Sequence, residues 1–214
     1  MSRHRLSPLF DPHSVALYGA TEREGALGRL LLETLRAGGF KGRVGAINPK
    51  HRKVLGEPCV RNAAALDFVP DVALAAVPAA ALTEVVDDCA ARGVRIVVVY
   101  SNGFDTTTEA GRDAQGELLR RARSRGVRLV GPHCMALMRP ASGFDAGFSP
   151  GRVKAGRVAL LSQSGAVVTA LLDWAAPSGI GFSSVLSLGR ALDLDFGELL
   201  DWYLFDHQTD SVLL

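Results

Sequence analysis

The chain has 214 residues, of which 48% are hydrophobic and 21% charged, and its 24 basic and 22 acidic residues leave a net charge of +2. This composition is ordinary for a globular protein, and the length allows one large domain or one domain with part of a second. The near balance of charge gives no reason to expect nucleic acid or an anionic membrane as a partner.

The cysteines and the N-terminal sequence give information on the cellular compartment of the protein. Cys59, Cys89 and Cys134 lie far apart without metal-ligand spacing, which predicts reduced thiols packed in or near the core. The N-terminus lacks the apolar stretch of a signal peptide, and no apolar run approaches the ~20 residues that span a bilayer. The sequence therefore predicts a cytoplasmic protein without a metal site.

Short, nearly continuous apolar runs alternate with amphipathic stretches through the first 130 residues. Parallel strands covered by helices on both faces have this pattern, and it predicts strands over 15–18, 44–47, 72–75, 96–99 and 127–130. Helices are predicted between them over 28–37, 79–92 and 106–125, each followed by a glycine that can end a helix. Residues 1–140 are thus expected to form an α/β domain with a doubly wound parallel sheet.

The alternation restarts after Pro140. The stretch 141–156 is rich in Gly, Ser and Pro and is predicted to be a linker or long loop. Strands over 158–161, 182–186 and 212–214, with helices over 166–176 and 196–205, predict a second α/β unit within residues 141–214. Because an apolar edge strand exposes unpaired backbone groups, we expect this second unit to be incomplete.

A glycine-rich turn joins the first strand to the first long helix. Gly19, Gly25 and Gly28 allow a tight turn that brings backbone N–H groups and the helix N-terminus close to a phosphate. Their spacing, G-x5-G-x2-G, differs from the G-x-G-x-x-G of dinucleotide enzymes. The turn predicts a phosphate site, and a glycine-rich turn without a ligand is the alternative.

The second strand ends in Asn48-Pro49-Lys50, which residues 51–53 extend into a basic cluster. An NAD enzyme places an acidic residue here to hold a ribose hydroxyl. Cationic residues instead suit a ligand with an additional phosphate, so NADP and coenzyme A fit this position and NAD fits poorly. A solvated basic turn is the alternative for residues 51–53.

Six ordered motifs carry a specific resemblance. They are Gly19-Ala-Thr21, Ile47-Asn-Pro-Lys50, Ala76-Val-Pro-Ala79, Tyr100-Ser-Asn-Gly-Phe104, Gly131-Pro-His-Cys-Met135 and Leu161-Ser-Gln-Ser-Gly-Ala166. Their order resembles the α-subunits of the NDP-forming acyl-CoA synthetase superfamily, which includes ADP-forming acetyl-CoA synthetase and succinyl-CoA synthetase. It also resembles the synthetase-like region of bacterial protein lysine acetyltransferases. The likeness continues to Asp201 and covers nearly the whole chain.

The resemblance implies a Rossmann-type CoA-binding domain over residues 1–140, followed by an incomplete flavodoxin-like domain of the succinyl-CoA-synthetase type. It implies CoA or acyl-CoA as the ligand, and an ATP-grasp β-type subunit or a fused acetyltransferase domain as the partner. ATP or ADP would enter only through the ATP-grasp module. The residues implied to contact CoA follow strand ends, and they are Gly19, Ala20, Thr21, Gly25, Gly28, Asn48, Pro49, Lys50, Val77, Pro78, Ser101, Asn102, Gly103 and Phe104.

The motif of residues 162–165, Ser162-Gln163-Ser164-Gly165, opens the first helix of the second unit. In the family, this helix start helps to cradle a phosphohistidine, which implies a phosphate loop here; a plain serine N-cap is the alternative. The family's phosphohistidine lies beyond residue 214, so the chain is not expected to be catalytic alone. A stand-alone CoA-binding regulatory module and an NADP-binding oxidoreductase domain are the rival interpretations.

Two positions depart from the family pattern. His133 stands where relatives usually carry asparagine, and Arg190 stands where they often carry asparagine or aspartate. His133 is expected to be structural or loosely ligand-facing. The sequence alone gives no consequence for Arg190.

Overall fold

The polypeptide forms two sheets whose helices lie on their faces. The structure, a computed structural model, describes residues 4–148 and 151–214. Residues 1–3 of the N-terminus and residues 149–150 of the predicted loop lie outside the described residues.

The first sheet has seven strands in the order β3-β4-β2-β1-β5-β6-β7. Neighbouring strands are parallel except for the short β3, which is antiparallel to β4. Without β3 the order is that of a doubly wound Rossmann-type sheet, with its topological switch between β1 and β5. The strands are β1 Ser14–Tyr18, β2 Arg43–Ile47, β3 Lys53–Val54, β4 Glu57–Val60, β5 Val72–Ala75, β6 Ile96–Val99 and β7 Arg128–Val130.

Four helices accompany this sheet: α1 Ser7–Phe10, α2 Leu27–Gly38, α3 Leu82–Arg92 and α4 Glu109–Ser124. Gly39 and Gly93 end α2 and α3 in left-handed conformations, so the predicted glycine stops are confirmed there. A 3-10 turn over Ala79–Ala81 takes up the start of the helix predicted over 79–92. Among the residues that the structure describes, no helix is both long and apolar enough to cross a membrane.

The second sheet has five strands in the order β12-β10-β11-β8-β9. Strands β12, β10 and β11 are parallel, whereas β8 and β9 form an antiparallel hairpin beside β11. The elements are β8 Leu137–Arg139, β9 Phe144–Asp145, β10 Ala155–Ser162, α5 Gly165–Ala175, β11 Phe182–Ser187, α6 Phe196–Tyr203 and β12 Ser211–Leu213.

The prediction of a linker or loop over 141–156 was wrong where strands occupy it. Strand β9 lies inside that stretch, and β10 begins in it at Ala155. A two-residue strand and a strand that begins with exposed residues have no apolar run to mark them in the sequence. Strand β8 precedes residue 141 and still pairs with β11. The second sheet therefore includes residues that precede position 141. A domain boundary between residues 140 and 141 stays a prediction.

One hydrophobic cluster joins the two sheets. Leu17 and Leu74 of the first sheet and Leu186 of the second belong to the same buried cluster. Phe10 of α1 stacks on Trp202 of α6, with ring centroids 4.0 Å apart. Below these rings, Arg139, which is 1% exposed, donates hydrogen bonds to the Asp206 carboxylate at 2.6 and 2.8 Å. Burial of such a pair requires both partners, because either alone would be an uncompensated charge.

The β8–β9 hairpin contains a carboxyl group with a raised pKa. Burial raises the pKa of Asp145 to about 6, and the hydrogen bond from the Gly147 N–H, at 3.0 Å, offsets only part of this effect. The folded state therefore binds a proton at Asp145 more tightly than the unfolded chain does. The stability that comes from this proton is complete below the unfolded pKa and is lost as the pH rises through 6.

We expect Asp145→Asn to stabilise the protein near neutral pH, because it removes the cost of burying the ionised carboxylate. The free energy of unfolding should rise by about 1–3 kcal/mol. The gain should vanish near pH ~4, where the folded carboxyl is already protonated. Urea unfolding at both pH values measures this, and Asp173→Asn, at an exposed position of α5, is the control. A loss of stability near neutral pH would contradict the prediction.

Candidate functional site

The residues predicted to contact a coenzyme lie on one edge of the first sheet. Residues 48–50 follow β2, residues 19–21 follow β1, residues 77–78 follow β5 and residues 101–104 follow β6. Since β2, β1, β5 and β6 are consecutive neighbours in the sheet, these strand ends form a row. Adjacent strands are about 4.8 Å apart, so the row is about 14 Å long. It offers an elongated ligand a continuous edge at the topological switch.

Close backbone packing shapes the middle of this row. Gly19 has φ +85°, and a Cβ there would lie 2.3 Å from the Ala76 carbonyl oxygen. A Cβ on Gly28 would lie 1.9 Å from the Gly19 carbonyl oxygen. These two positions therefore require glycine. Gly25, with φ +69° and open space around it, requires glycine for its conformation alone.

Helix α2 begins at this turn without a side-chain cap. Its N-cap residue is Ala26, whose carbonyl oxygen accepts from the Arg29 and Leu30 N–H groups at 3.0 and 3.1 Å but whose side chain offers no acceptor to the N–H groups of residues 27 and 28. Unpaired N–H groups and the positive end of the helix dipole are therefore available to an anion. The nearby Thr21 hydroxyl accepts a hydrogen bond from the Arg23 N–H at 3.3 Å, and a Glu22 carboxylate oxygen accepts one from the Leu55 N–H at 2.9 Å.

Asn48 joins the ends of β1 and β2. Its side-chain amide donates to the Ala20 carbonyl oxygen at 2.8 Å, and its Oδ1 accepts from the Lys50 N–H at 3.0 Å. One side chain therefore fixes the backbone of two loops. This is a positioning role that the sequence pattern did not reveal.

The basic cluster after Asn48 is available for a ligand. Lys50, Arg52 and Lys53 are exposed, and their side chains form no ion pair with any other described residue. Unpaired ammonium and guanidinium groups attract anions such as phosphate. A site for an additional phosphate here stays a prediction.

The loop after β6 divides into buried and exposed positions. The Ser101 hydroxyl donates a hydrogen bond to the Val77 carbonyl oxygen, and Phe104 is buried in the core. Asn102 and Gly103 are exposed, with the Gly103 backbone close to Ala79. Ser101 and Phe104 thus hold the loop in place, and Asn102 and Gly103 present it to solvent.

The predicted phosphate loop of the second unit lies between β10 and α5. Ser164 is the N-cap, and its Oγ accepts a hydrogen bond from the Val167 N–H at 3.3 Å. The Ser162 hydroxyl accepts one from the Ser164 N–H at 3.2 Å, while Gln163 is exposed. A Cβ on Gly165 would lie 2.5 Å from the Met135 side chain. The serine N-cap interpretation therefore describes this helix start, and an anion site here stays a prediction.

The structure brings two further turns to this edge. The segment 190–194, named here the crossing segment, runs along the end of β7. The N–H groups of Arg190 and Leu192 donate to the carbonyl oxygens of Pro132 and Gly131, both at 3.0 Å. The exposed His133, at φ +65°, donates its N–H to the Ser101 carbonyl oxygen at 3.2 Å. The sequence pattern gives Arg190 no role, and the fold places its backbone beside the turn that contains His133.

We expect Asn48→Ala to destabilise the protein by about 1–3 kcal/mol, because it leaves the Ala20 carbonyl and the Lys50 N–H without partners. Asn62→Ala is the matched control, since among the described residues the Asn62 side chain accepts from the Ala65 N–H alone, three residues away. Its loss should not exceed about 1 kcal/mol. Denaturant titrations of both variants check this, and equal losses would argue against the bridging role.

Comparison with known proteins places these observations in a family. A family model described as a CoA binding domain matches residues 13–140, and one described as a succinyl-CoA ligase like flavodoxin domain matches residues 155–214. The acetyl-coenzyme A synthetase 1 structure from Ca. Korarchaeum cryptofilum, determined with phosphate and ADP, has a TM-score of 0.91 and 35% identity. That match covers 97% of this chain and 44% of the other.

Two curated relatives match nearly the whole chain. The ADP-forming acetate–CoA ligase I of Archaeoglobus fulgidus is 38% identical over 206 residues, which are 96% of this chain and 30% of the relative. The α subunit of the ADP-forming acetate–CoA ligase I of Pyrococcus furiosus is 32% identical over 213 residues, which are 98% of this chain and 46% of the relative. This chain therefore spans less than half the length of these relatives. It belongs to the family of CoA binding domains, continues into a succinyl-CoA ligase like flavodoxin domain, and matches the CoA-binding portion of ADP-forming acetate–CoA ligases.

Proposed function

We propose that this chain holds CoA or acyl-CoA as the coenzyme-binding portion of an NDP-forming, specifically ADP-forming, acyl-CoA synthetase. The observation that carries the proposal is the row of strand ends from β2 to β6, with the uncapped start of α2 at its centre. CoA is an elongated molecule with phosphate groups at one end and a thiol at the other. The row supports a ligand of that shape, with cations at one end of it.

The distribution of charge along the row suggests where each portion of CoA would lie. The Gly19 turn and the first N–H groups of α2 would bind the pyrophosphate. Lys50 and the basic residues 51–53 would lie at the phosphorylated adenosine end, beyond β2. Residues 77–78 and 101–104 would line the pantetheine arm, and the thiol would point toward the end of β7. These residues bind and orient the coenzyme.

The rest of the reaction requires a partner. Because the P. furiosus relative is named subunit alpha, we propose an ATP-grasp β-type subunit that brings ATP or ADP to the chain. A fused acetyltransferase domain is the other proposed partner, and it rests on the sequence motifs alone. The α5 start, residues 162–165, would cradle a phosphoryl group supplied by the complete enzyme. The cytoplasmic location stays a prediction from the sequence.

The ligand is tested by calorimetric titration of the chain with CoA, acetyl-CoA, NAD and NADP side by side. We expect CoA and acetyl-CoA to bind and the two nicotinamide dinucleotides to give no heat of binding. Binding of NADP alone would contradict the proposal and favour the oxidoreductase interpretation. Acyl-CoA-forming turnover that appears when an ATP-grasp β-type subunit is added would separate the enzyme portion from a regulatory CoA-binding module.

The orientation of the ligand is tested by Lys50→Glu, which should weaken CoA binding by about 1–3 kcal/mol through a lost contact and a new repulsion. Lys41→Glu is the matched control, because Lys41 is also an exposed lysine but precedes β2 at the opposite end of the strand. It should leave the CoA affinity unchanged. An unchanged affinity for Lys50→Glu would remove Lys50 from the site.

A further inference from the structure

The hairpin of β3 and β4 carries two of the exposed cations that follow Asn48. Strand β4 pairs with β2, and β3 folds back on β4, so the hairpin extends the first sheet beyond β2. Arg52 and Lys53 are exposed at the start of the hairpin. The Cys59 N–H donates to the Arg52 carbonyl oxygen at 2.9 Å and closes the base of the hairpin. The position of the hairpin therefore sets the position of these two cations.

The turn of this hairpin has a conformation that one of its residues rarely adopts. Leu55 and Gly56, the residues between β3 and β4, have φ values of +51° and +84°. Hairpin turns with two positive φ values favour glycine, asparagine or aspartate. Leucine is unfavourable there, because its Cβ comes close to the following carbonyl oxygen. Such a turn persists when the surrounding contacts hold it.

Side chains near both ends of α2 hold the backbone of Leu55. Its N–H donates to a Glu22 carboxylate oxygen at 2.9 Å, and its carbonyl oxygen accepts from Arg36 Nη1 at 3.1 Å. Arg36 Nη2 also donates to Glu57 Oε1 at 2.9 Å. The Leu55 side chain packs against the buried cluster that joins the two sheets. Because Glu22 lies in the turn between β1 and α2, its bond links that turn directly to the hairpin.

The charge of Glu22 does not itself favour a bound phosphate. A carboxylate beside the turn between β1 and α2 repels an anion there. The nearby Arg29 donates from Nη1 to the Glu22 backbone carbonyl oxygen at 2.7 Å, and its Nε bonds to the Glu33 carboxylate at 2.7 Å. The Glu22 carboxylate instead accepts its hydrogen bond from the hairpin. This bond is the contribution through which Glu22 can promote phosphate binding.

We propose that Glu22 is a positioning residue for the adenosine end of the coenzyme. Through the Leu55 N–H it fixes the hairpin so that Arg52 and Lys53 lie at the phosphate on the ribose of CoA. The chain therefore binds CoA more tightly than dephospho-CoA, which lacks that phosphate, and Glu22 supports this preference without contacting the ligand. This inference rests on the proposed function, because it takes the orientation of CoA given above.

The test is calorimetric titration of the unmodified chain and its variants with CoA and dephospho-CoA. We expect the unmodified chain to bind CoA about 10-fold or more tightly than dephospho-CoA, the scale of a charge-assisted hydrogen bond. Glu22→Ala should weaken CoA binding about 3- to 10-fold, the scale of one lost hydrogen bond, and should not weaken dephospho-CoA binding. Glu22→Gln keeps an acceptor for the Leu55 N–H and should retain the preference.

The sign of the change separates positioning from charge. If Glu22 acted through its charge alone, Glu22→Ala and Glu22→Gln would both tighten CoA binding, and that result would overturn the proposal. Glu24→Ala is the matched control, because Glu24 is an exposed carboxylate of the same turn that accepts no hydrogen bond from any other described residue. This variant should retain the preference for CoA.

Two further outcomes would overturn the proposal and leave the CoA site intact. One is an equal loss of affinity for CoA and dephospho-CoA in Glu22→Ala, which would assign this residue a structural role only. The other is equal binding of the two ligands by the unmodified chain. Failure of the unmodified chain to bind CoA at all would instead refute the proposed function.

Discussion

Backbone hydrogen bonds between the crossing segment and β7 hold the carboxyl edges of the two sheets against each other. Besides the bonds from Arg190 and Leu192, the Leu194 N–H donates to the Leu129 carbonyl oxygen at 3.2 Å. They cover the edge of β7, which would otherwise expose unpaired backbone groups. The turn after β7 and the segment that follows β11 are therefore joined backbone to backbone.

The buried side chain of Asp193 holds the crossing segment against β7. Its side chain is 1% exposed and accepts hydrogen bonds from Arg128 and from the Leu129 N–H, at 2.7 and 3.0 Å. Burial raises the pKa of Asp193, but the hydrogen bonds from Arg128, Leu129 and Arg123 outweigh it and leave the pKa below its usual value. The carboxylate is therefore ionised at neutral pH. It is held as a buried anion by partners from the first sheet and the end of α4.

The sequence patterns predicted those strands and helices whose buried apolar residues form a recognisable local pattern. Strands β1, β5 and β6 are buried along their whole length, so each stands out in the sequence as a short, nearly continuous apolar run. Strand β4, Glu57–Val60, contains a proline and two exposed residues, and β8 and β9 are only two or three residues long. Such strands are defined by their pairing partners, which a local pattern does not contain.

The candidate site also combines features that are local in the sequence with contacts that only the fold creates. The glycine turn and the basic cluster are local, and the sequence predicted their place at the strand ends. The bridge from Asn48 to Ala20 and the hydrogen bond from the Arg190 N–H to the Pro132 carbonyl oxygen connect residues that are distant in sequence. No periodicity or spacing encodes such a contact, because the fold creates it. Resemblance identified the ligand class, and the geometry showed which side chains hold loops and which face solvent.

The stacking of Phe10 on Trp202 has a consequence for how the chain matures on the ribosome. Chains emerge from their N-terminus, and early segments begin to fold before later ones are made. Here α1 finds its stacking partner only after α6 has been synthesised, and the edge of β7 is covered only after the crossing segment has emerged. The nascent first sheet therefore waits with an exposed edge strand and an unpaired aromatic ring. During that interval both expose apolar surface of the kind through which incompletely folded chains associate.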